Sequence, residues 1–182
     1  MKGYIVRKFR PEDLQQVERI NRVFLPENYP STFFLENYRR FPDAFLVAES
    51  ESGDVVGYIM CRVEYYPVGS RTIFLGHVLS IAVAKRHRRR GIGETLMREA
   101  EKGLERYGSH LVYLEVRVSN EPAIKLYKKL NYRILGVIPR YYHDGEDAYL
   151  MYKLFKQVSD EELEGSLGWR VRPLDKKVGS QR

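Results

Sequence analysis

Five basic side chains fall within the six residues 85–90 (KRHRRR), and the run then passes at once into GIGETLM, two glycines followed by a helical pattern. Residue types in that order suit the capture of an anion. Gly91 and Gly93 carry no side chain that would block close approach, and the first turn of a helix leaves backbone N–H groups without partners. The helix dipole adds partial positive charge, and Arg88, Arg89 and Arg90 add whole charges. Such a loop fits a pyrophosphate better than a duplex, because surfaces that bind duplexes spread lysine and arginine along a face. The Gly-Lys-Ser/Thr ending of a Walker A loop is missing. The plain alternative is a solvated charge run with two turn glycines.

Two ionisable residues stand inside otherwise apolar strand patterns: His77 in FLGHVLS and Glu115 in VYLEVRV. A polar group there is costly unless it is paired or functional, so the two are candidates for general-base work. They are too few to hold zinc. Tyr127 shares a helix face with Ala123, Ile124 and Leu130, which suits a core aromatic as well as a proton donor. The segments LPENYP (25–30) and RYYHDGED (140–147) are polar-aromatic loops rich in tyrosine. The spacing of Asp144, Glu146 and Asp147 fits no EF-hand, and Asp144-Gly145 reads as a turn. Cys61 is the single cysteine. It excludes an internal disulfide, suits a reducing cytosol and reads as a small buried hydrophobe.

These residues need a scaffold. The chain has 182 residues, 43% hydrophobic and 30% charged, which suits one globular domain with a sizeable core. No apolar run is long enough for a membrane span, and the start MKGYIV is too short and too quickly charged for a signal peptide. The net charge of +7 invites a nucleic-acid partner, but most of the excess is concentrated at 85–90, so a general basic stripe is not needed.

The patterning predicts strands at 4–8, 44–49, 55–64, 72–84, 111–118, 132–139 and 148–155, with Ser52-Gly53-Asp54 turning a hairpin. Helices are predicted at 11–24, at 31–39 with Ser31 as N-cap, at 91–106, and from Ser119-Asn120 to about 130. In the third, Ile92, Leu96, Ala100 and Leu104 form the apolar stripe, with Glu94, Arg98, Glu101 and Glu105 toward water. Residues 157–182 read as a loosely attached tail, with a short helix at 160–163 and Trp169 as a docking residue. The order implies a mixed α/β sheet with a crossover helix after its central strand.

The hexapeptide RRRGIG resembles the Arg/Gln-x-x-Gly-x-Gly/Ala signature of the GNAT acetyltransferase superfamily. GHVLSIAV, YLEVRVSNEPAIKLYKKLNY, LPENYP and YYHDGEDAYLM resemble the catalytic subunit of NatA-type, RimI-like protein N-terminal acetyltransferases, above all the archaeal members. The resemblance covers about residues 4–155. It implies a GNAT fold, α/β and mixed, with a largely antiparallel sheet of about seven strands flanked by about four helices. The domain would span 1–156, leaving 157–182 without an assigned role.

It further implies acetyl-CoA as co-substrate and no required metal. Arg88, Arg89, Arg90, Gly91, Ile92, Gly93 and Glu94 would hold the pyrophosphate. Ile81, Ala82 and Val83 would offer backbone groups to the pantetheine arm, with Asn120 a further cofactor contact. His77 and Glu115 would flank the substrate amine as base, without a split between them, and Tyr127 would protonate the departing thiolate while touching the cofactor. Leu25, Pro26, Tyr29, Tyr141 and Tyr142 would clamp the peptide, with Glu27 favouring small first residues.

The energetics favour the implied substrate. Deprotonating an α-amine (pKa ~8) at neutral pH requires about 1.4 kcal/mol, against about 4.6 kcal/mol for a lysine amine (pKa ~10.4). The implied partners are protein N-termini, including nascent chains near the ribosome, in the cytoplasm. No membrane is implied, nucleic acid is disfavoured, and an auxiliary subunit is compatible but not required. Two other readings stay open: a GNAT acting on a ribosomal-protein N-terminus or a lysine side chain, and a basic RNA- or ribosome-binding module using Arg170, Arg172, Lys176 and Lys177.

Overall fold

In a computed structural model, which describes residues 3–26 and 28–174, one seven-stranded sheet organises the chain. The strands are β1 (Tyr4–Lys8), β2 (Phe45–Ser50), β3 (Val55–Val68), β4 (Arg71–Val83), β5 (Leu111–Arg117), β6 (Arg133–Ile138) and β7 (Ala148–Leu154), in the order β1-β2-β3-β4-β5-β7-β6. All neighbours are antiparallel except β4 and β5. The helices are α1 (Leu14–Phe24), α2 (Ser31–Arg40), α3 (Ile92–Arg106), α4 (Glu121–Lys129) and α5 (Asp160–Leu167). A parallel strand pair needs a crossover, and α3 supplies it between β4 and β5.

The apolar stripes decide which face each helix covers. Ile92, Leu96, Ala100 and Leu104 of α3 are buried with Ile124 and Tyr127 of α4 against Cys61, Val112 and Leu114 of the sheet. Val17 and Ile20 of α1 and Phe34 of α2 pack with Phe45, Val47 and Tyr58 in a second cluster. Burying a side chain of this size contributes roughly 1.5–3 kcal/mol, so the two layers hold the sheet from both sides.

One local feature of the sheet matters most. β4 pairs with β5 only where Leu75, Gly76 and His77 face Leu111, Val112 and Tyr113. Past that point β4 continues along β3, and β5 continues along β7. Leu79 has no partner residue on β3, since Met60 faces Ser80 and Cys61 faces Val78. Such a bulge bends its strand, and here it lies where β4 and β5 part.

Several expectations need correction. Pro30, not Ser31, is the N-cap of α2, and the Ser31 hydroxyl donates to Glu18. Glu101 does not face water: it is 7% exposed, accepts from the Tyr132 hydroxyl (3.0 Å) and pairs with Lys153 (2.6 Å). The tail is not loosely attached through residue 174. Helix α5 runs to Leu167, which is fully buried with Ile73, Leu111 and Tyr113. Trp169 is 68% exposed and does not dock the segment. Instead Arg172 exchanges backbone hydrogen bonds with Val137 at the edge of β6. Lys176 and Lys177 lie outside the described residues.

Candidate active site

The chain leaves β4 at Val83, makes a short 3-10 turn over Lys85–His87, and enters α3 through Gly91. Gly91 has φ +80°, and no heavy atom lies within 4 Å of the place a Cβ would take. A left-handed residue facing open space is what a loop wrapped around an anion requires of its backbone. Arg88, Arg89 and Arg90 are all exposed there. The Arg88 Nε donates to the Val83 carbonyl (2.8 Å), with its guanidinium 5.1 Å from the Phe24 ring centroid. Arg90 donates to the Tyr4 hydroxyl. The amides of Ile92, Gly93 and Glu94 begin the helix and have no acceptor within it. The Glu94 carboxylate is engaged by Arg98 (3.0 Å) and Lys129 (2.6 Å), so Glu94 can serve an anion only through its amide. The loop and the exposed arginines thus fit a diphosphate.

Where β4 and β5 separate, a cleft of about 270 Å³ opens. Ile81 lines it from β4, while Ala82 and Val83 continue that edge beyond the last residue paired with β5. Glu115 lines it from β5, and Asn120 and Tyr127 line it from the start and middle of α4. Asn120 also caps that helix, its side chain accepting from the Ala123 amide (3.3 Å). Leu25, Pro26 and Tyr29 close one side of the mouth, and Tyr141 and Tyr142 the other. The Tyr29 hydroxyl donates to the carbonyl of Leu79 (3.3 Å), which ties its loop to the bulge. Arg117 anchors the opposite loop: it pairs with Asp144 (2.7 Å) and Glu146 (2.9 Å) and lies 3.9 Å from the Tyr142 ring centroid. Gly145, at φ +86°, turns that loop as expected. Glu27 lies outside the described residues.

His77 does not line the cleft. It is buried directly behind Glu115, to which its Nε2 is hydrogen-bonded (2.8 Å), and its Nδ1 meets Glu64 on β3 (3.2 Å). Its ring stacks on Tyr113 with centroids 4.2 Å apart. Burial pushes the imidazole down, but Glu115 and Glu64 together outweigh burial and hold it above its ordinary value. Burial pushes the Glu64 carboxyl up, but His77, Tyr113 and Arg62 outweigh it and hold the group at about 2. Burial pushes the Tyr127 phenol up, so it stays protonated at neutral pH. Burial also raises the Cys61 thiol, which suits an inert core residue.

Sequence patterning marks neither Glu64 nor Tyr113, and marks Arg170 only as one of the basic residues of the tail, yet all three stand in this cluster. The Tyr113 hydroxyl donates to Glu64 (2.7 Å), and Arg170 reaches both. The available signal was the Gly69-Ser70 turn: a tight hairpin there pairs Arg62 with His77 and puts Glu64 close by.

The fold, the glycine-opened helix and the cleft between parting strands agree with what sequence comparison finds. The acetyltransferase (GNAT) family matches residues 14–132. This chain belongs to that family. It is similar to the N-alpha-acetyltransferase of Sulfurisphaera tokodaii, at 49% identity over 155 residues, which covers 82% of this chain and 92% of that protein. Among solved structures it is similar to Ard1 from Thermoplasma volcanium, at 32% identity and a TM-score of 0.74, covering 85% of this chain and 99% of that one. Naa20 of Chaetomium thermophilum, solved with a bisubstrate analogue, gives 31% identity and a TM-score of 0.74, with 92% of each chain covered. The GNAT acetyltransferase fold expected from the sequence is the fold observed, with five α-helices about seven strands among the described residues.

Proposed function

We propose that this acetyltransferase moves an acetyl group from acetyl-CoA to the α-amino group at the N-terminus of proteins. The observation that carries the reading is Glu115: a carboxylate on the cleft wall, backed by a buried histidine, facing a mouth built from tyrosine loops. The similarity to proteins named N-alpha-acetyltransferase supports the same choice.

Acetyl-CoA supplies an activated thioester. The chain's own residues do the rest. The amides of Ile92, Gly93 and Glu94 and the guanidinium groups of Arg88, Arg89 and Arg90 would hold the diphosphate, and the free edge of β4 at Ile81, Ala82 and Val83 would align the arm. Glu115 takes a proton from the ammonium of the peptide, directly or through water, with His77 holding the carboxylate in place. The neutral amine then attacks the thioester carbonyl, the C–N bond forming and the C–S bond breaking, and its second proton leaves to water. Tyr127 keeps a phenolic proton beside the cleft to give to the departing sulfur. Leu25, Pro26, Tyr29, Tyr141 and Tyr142 orient the first residues of the peptide, and Glu27 selects small ones. An α-amine needs only about one pK unit of help at neutral pH, so a single carboxylate is a sufficient base.

The reaction belongs in the cytoplasm, on protein N-termini that include nascent chains, and needs no metal. Among the described residues no helix is long and apolar enough to cross a membrane. The RNA-binding alternative loses support from the tail, because Arg170 points into the protein. Mass spectrometry of a panel of peptides, each with a free N-terminus and an internal lysine, tests the proposal. Acetylation at Nα alone is expected. Modification of the lysine, or of neither site, would overturn it.

A further inference from the structure

Arg170 lies beyond α5, in a segment outside the stretch that the family match covers. Its side chain is 18% exposed. One terminal nitrogen donates to the Tyr113 hydroxyl (2.8 Å), and the other donates to the Tyr66 hydroxyl and stands 3.7 Å from Glu64 Oε2. The guanidinium packs 5.1 Å from the ring centroid of Tyr113 and 5.5 Å from that of Tyr66. Its Nε is buried with no hydrogen-bond partner among the described residues. Taking such a group out of water is expensive, so a guanidinium with one donor unmet needs compensation from its surroundings.

The compensation leads to the site. Glu64 Oε2 accepts from Tyr113 and faces Arg170, while Oε1 of the same carboxylate meets His77 and Arg62. Tyr113 also stacks on the His77 ring. Arg170 therefore touches both groups that fix His77: the carboxylate at one ring nitrogen and the aromatic plane on its face. His77 in turn holds Glu115 at the cleft. Arg62 alone is a weaker anchor, because its side chain is 37% exposed and it shares Oε1 with the histidine.

We propose that Arg170 is a positioning residue for acetyl transfer, fixing His77 through Glu64 and Tyr113 so that Glu115 keeps its place on the cleft wall. The inference rests on the reading of Glu115 as the base. It makes the C-terminal segment part of the reaction machinery rather than an appendage.

The charges set the sign of the test. The groups against the His77 ring are Glu64 on β3 and Glu115 and Tyr113 on β5; Arg62 and Arg170 meet Glu64 in turn, and Tyr66 meets Arg170. With both arginines present, the two carboxylates are balanced without a proton on His77. Removing one arginine leaves a net negative cluster that retains the proton more tightly.

The experiment compares full-length wild type, Arg170→Met, Arg170→Lys and Glu64→Gln, and the double variant Glu64→Gln/Arg170→Met. The readouts are NMR titration of the His77 ring, acetyl-CoA affinity, and the pH profile of kcat. Arg170→Met is expected to raise the His77 titration midpoint, to move the acid limb of kcat the same way, and to lower kcat about tenfold, with little change in acetyl-CoA affinity. Arg170→Lys should restore much of both. In the Glu64→Gln background the same replacement should change kcat by clearly less than it does in wild type, since one of its two targets is gone and only Tyr113 remains.

An unshifted His77 titration in folded Arg170→Met, or full additivity with Glu64→Gln, would overturn the proposal. Should Arg170→Met fail to fold, Tyr113→Phe removes only the hydroxyl bridge. It is expected to shift the His77 titration and lower kcat, and wild-type behaviour in it would count equally against the proposal. The NMR readout needs no substrate. A wild-type chain inactive on N-terminal peptides would therefore defeat the proposed function while the titration still judged Arg170.

Discussion

Glu115 faces the cleft and His77 stands behind it, so removing each should have a different signature. Glu115→Gln keeps the shape and loses the base, and is expected to lower kcat by about 10²–10⁴-fold with unchanged acetyl-CoA affinity. Single-turnover kinetics and calorimetry check the two halves of that statement. Glu64 gives a stability prediction with a definite sign. Its folded pKa, about 2, lies below the ordinary 4.5, so its contribution is present above 4.5 and is lost as pH falls toward 2. The His77 value is raised above 6.5, so its contribution is present below 6.5 and is lost as pH rises through the folded value. Glu64→Gln should therefore destabilise most between those limits. The difference should fade in acid and shrink, without vanishing, in alkali, where the Glu64 carboxylate still faces Arg62 and Arg170. Urea unfolding across pH measures it. His77 and Glu115 were legible because each interrupts an apolar strand. Glu64 was not, because it lies where β3 begins to alternate between half-buried and exposed positions, and there a carboxylate looks ordinary.

At the scale of elements, the approach to α3 needs a left-handed backbone at Gly91. A β-branched residue at φ +80° is strained by roughly 1–2 kcal/mol, and its side chain would occupy the space a diphosphate needs. Gly91→Val is expected to weaken acetyl-CoA binding about tenfold or more while leaving the fold intact, as titration calorimetry and circular dichroism would report. This element was readable because glycine, arginine and helical periodicity coincide within a few residues. The solvent-facing assignment of Glu101 failed for a physical reason. Helical spacing puts it beside the apolar stripe, and the groups that bury it, Tyr132 and Lys153, come from a later part of the chain. Side-chain pairing across elements leaves no trace in the period of one helix.

For the whole molecule, the segment after β7 closes the far end of the sheet. Gly136 lets it do so: a Cβ there would stand 2.5 Å from the Arg172 carbonyl oxygen and 2.8 Å from the Val171 Cβ. Gly136→Val is expected to detach residues 171–174 and expose the segment to proteases, seen as faster limited proteolysis near the C-terminus. Leu167→Ala should cost about 2–5 kcal/mol of stability by urea unfolding, because the leucine is fully buried. The order of strands and helices was legible from periodicity and turn residues. The docking of this segment was not: its sequence is charge-rich, and its anchors, a leucine, an inward arginine and the backbone of Arg172, are far from their partners along the chain.

The parting of β4 from β5 leaves backbone groups of β4 without a neighbouring strand on that side. In solvent such amides trade protons for deuterons quickly, whereas those shared with β3 trade slowly. An acyl donor lying along that margin would act as a missing strand. Deuterium uptake by the Ile81–Val83 peptide should then slow when the donor is added, giving a measure of occupancy that needs no turnover.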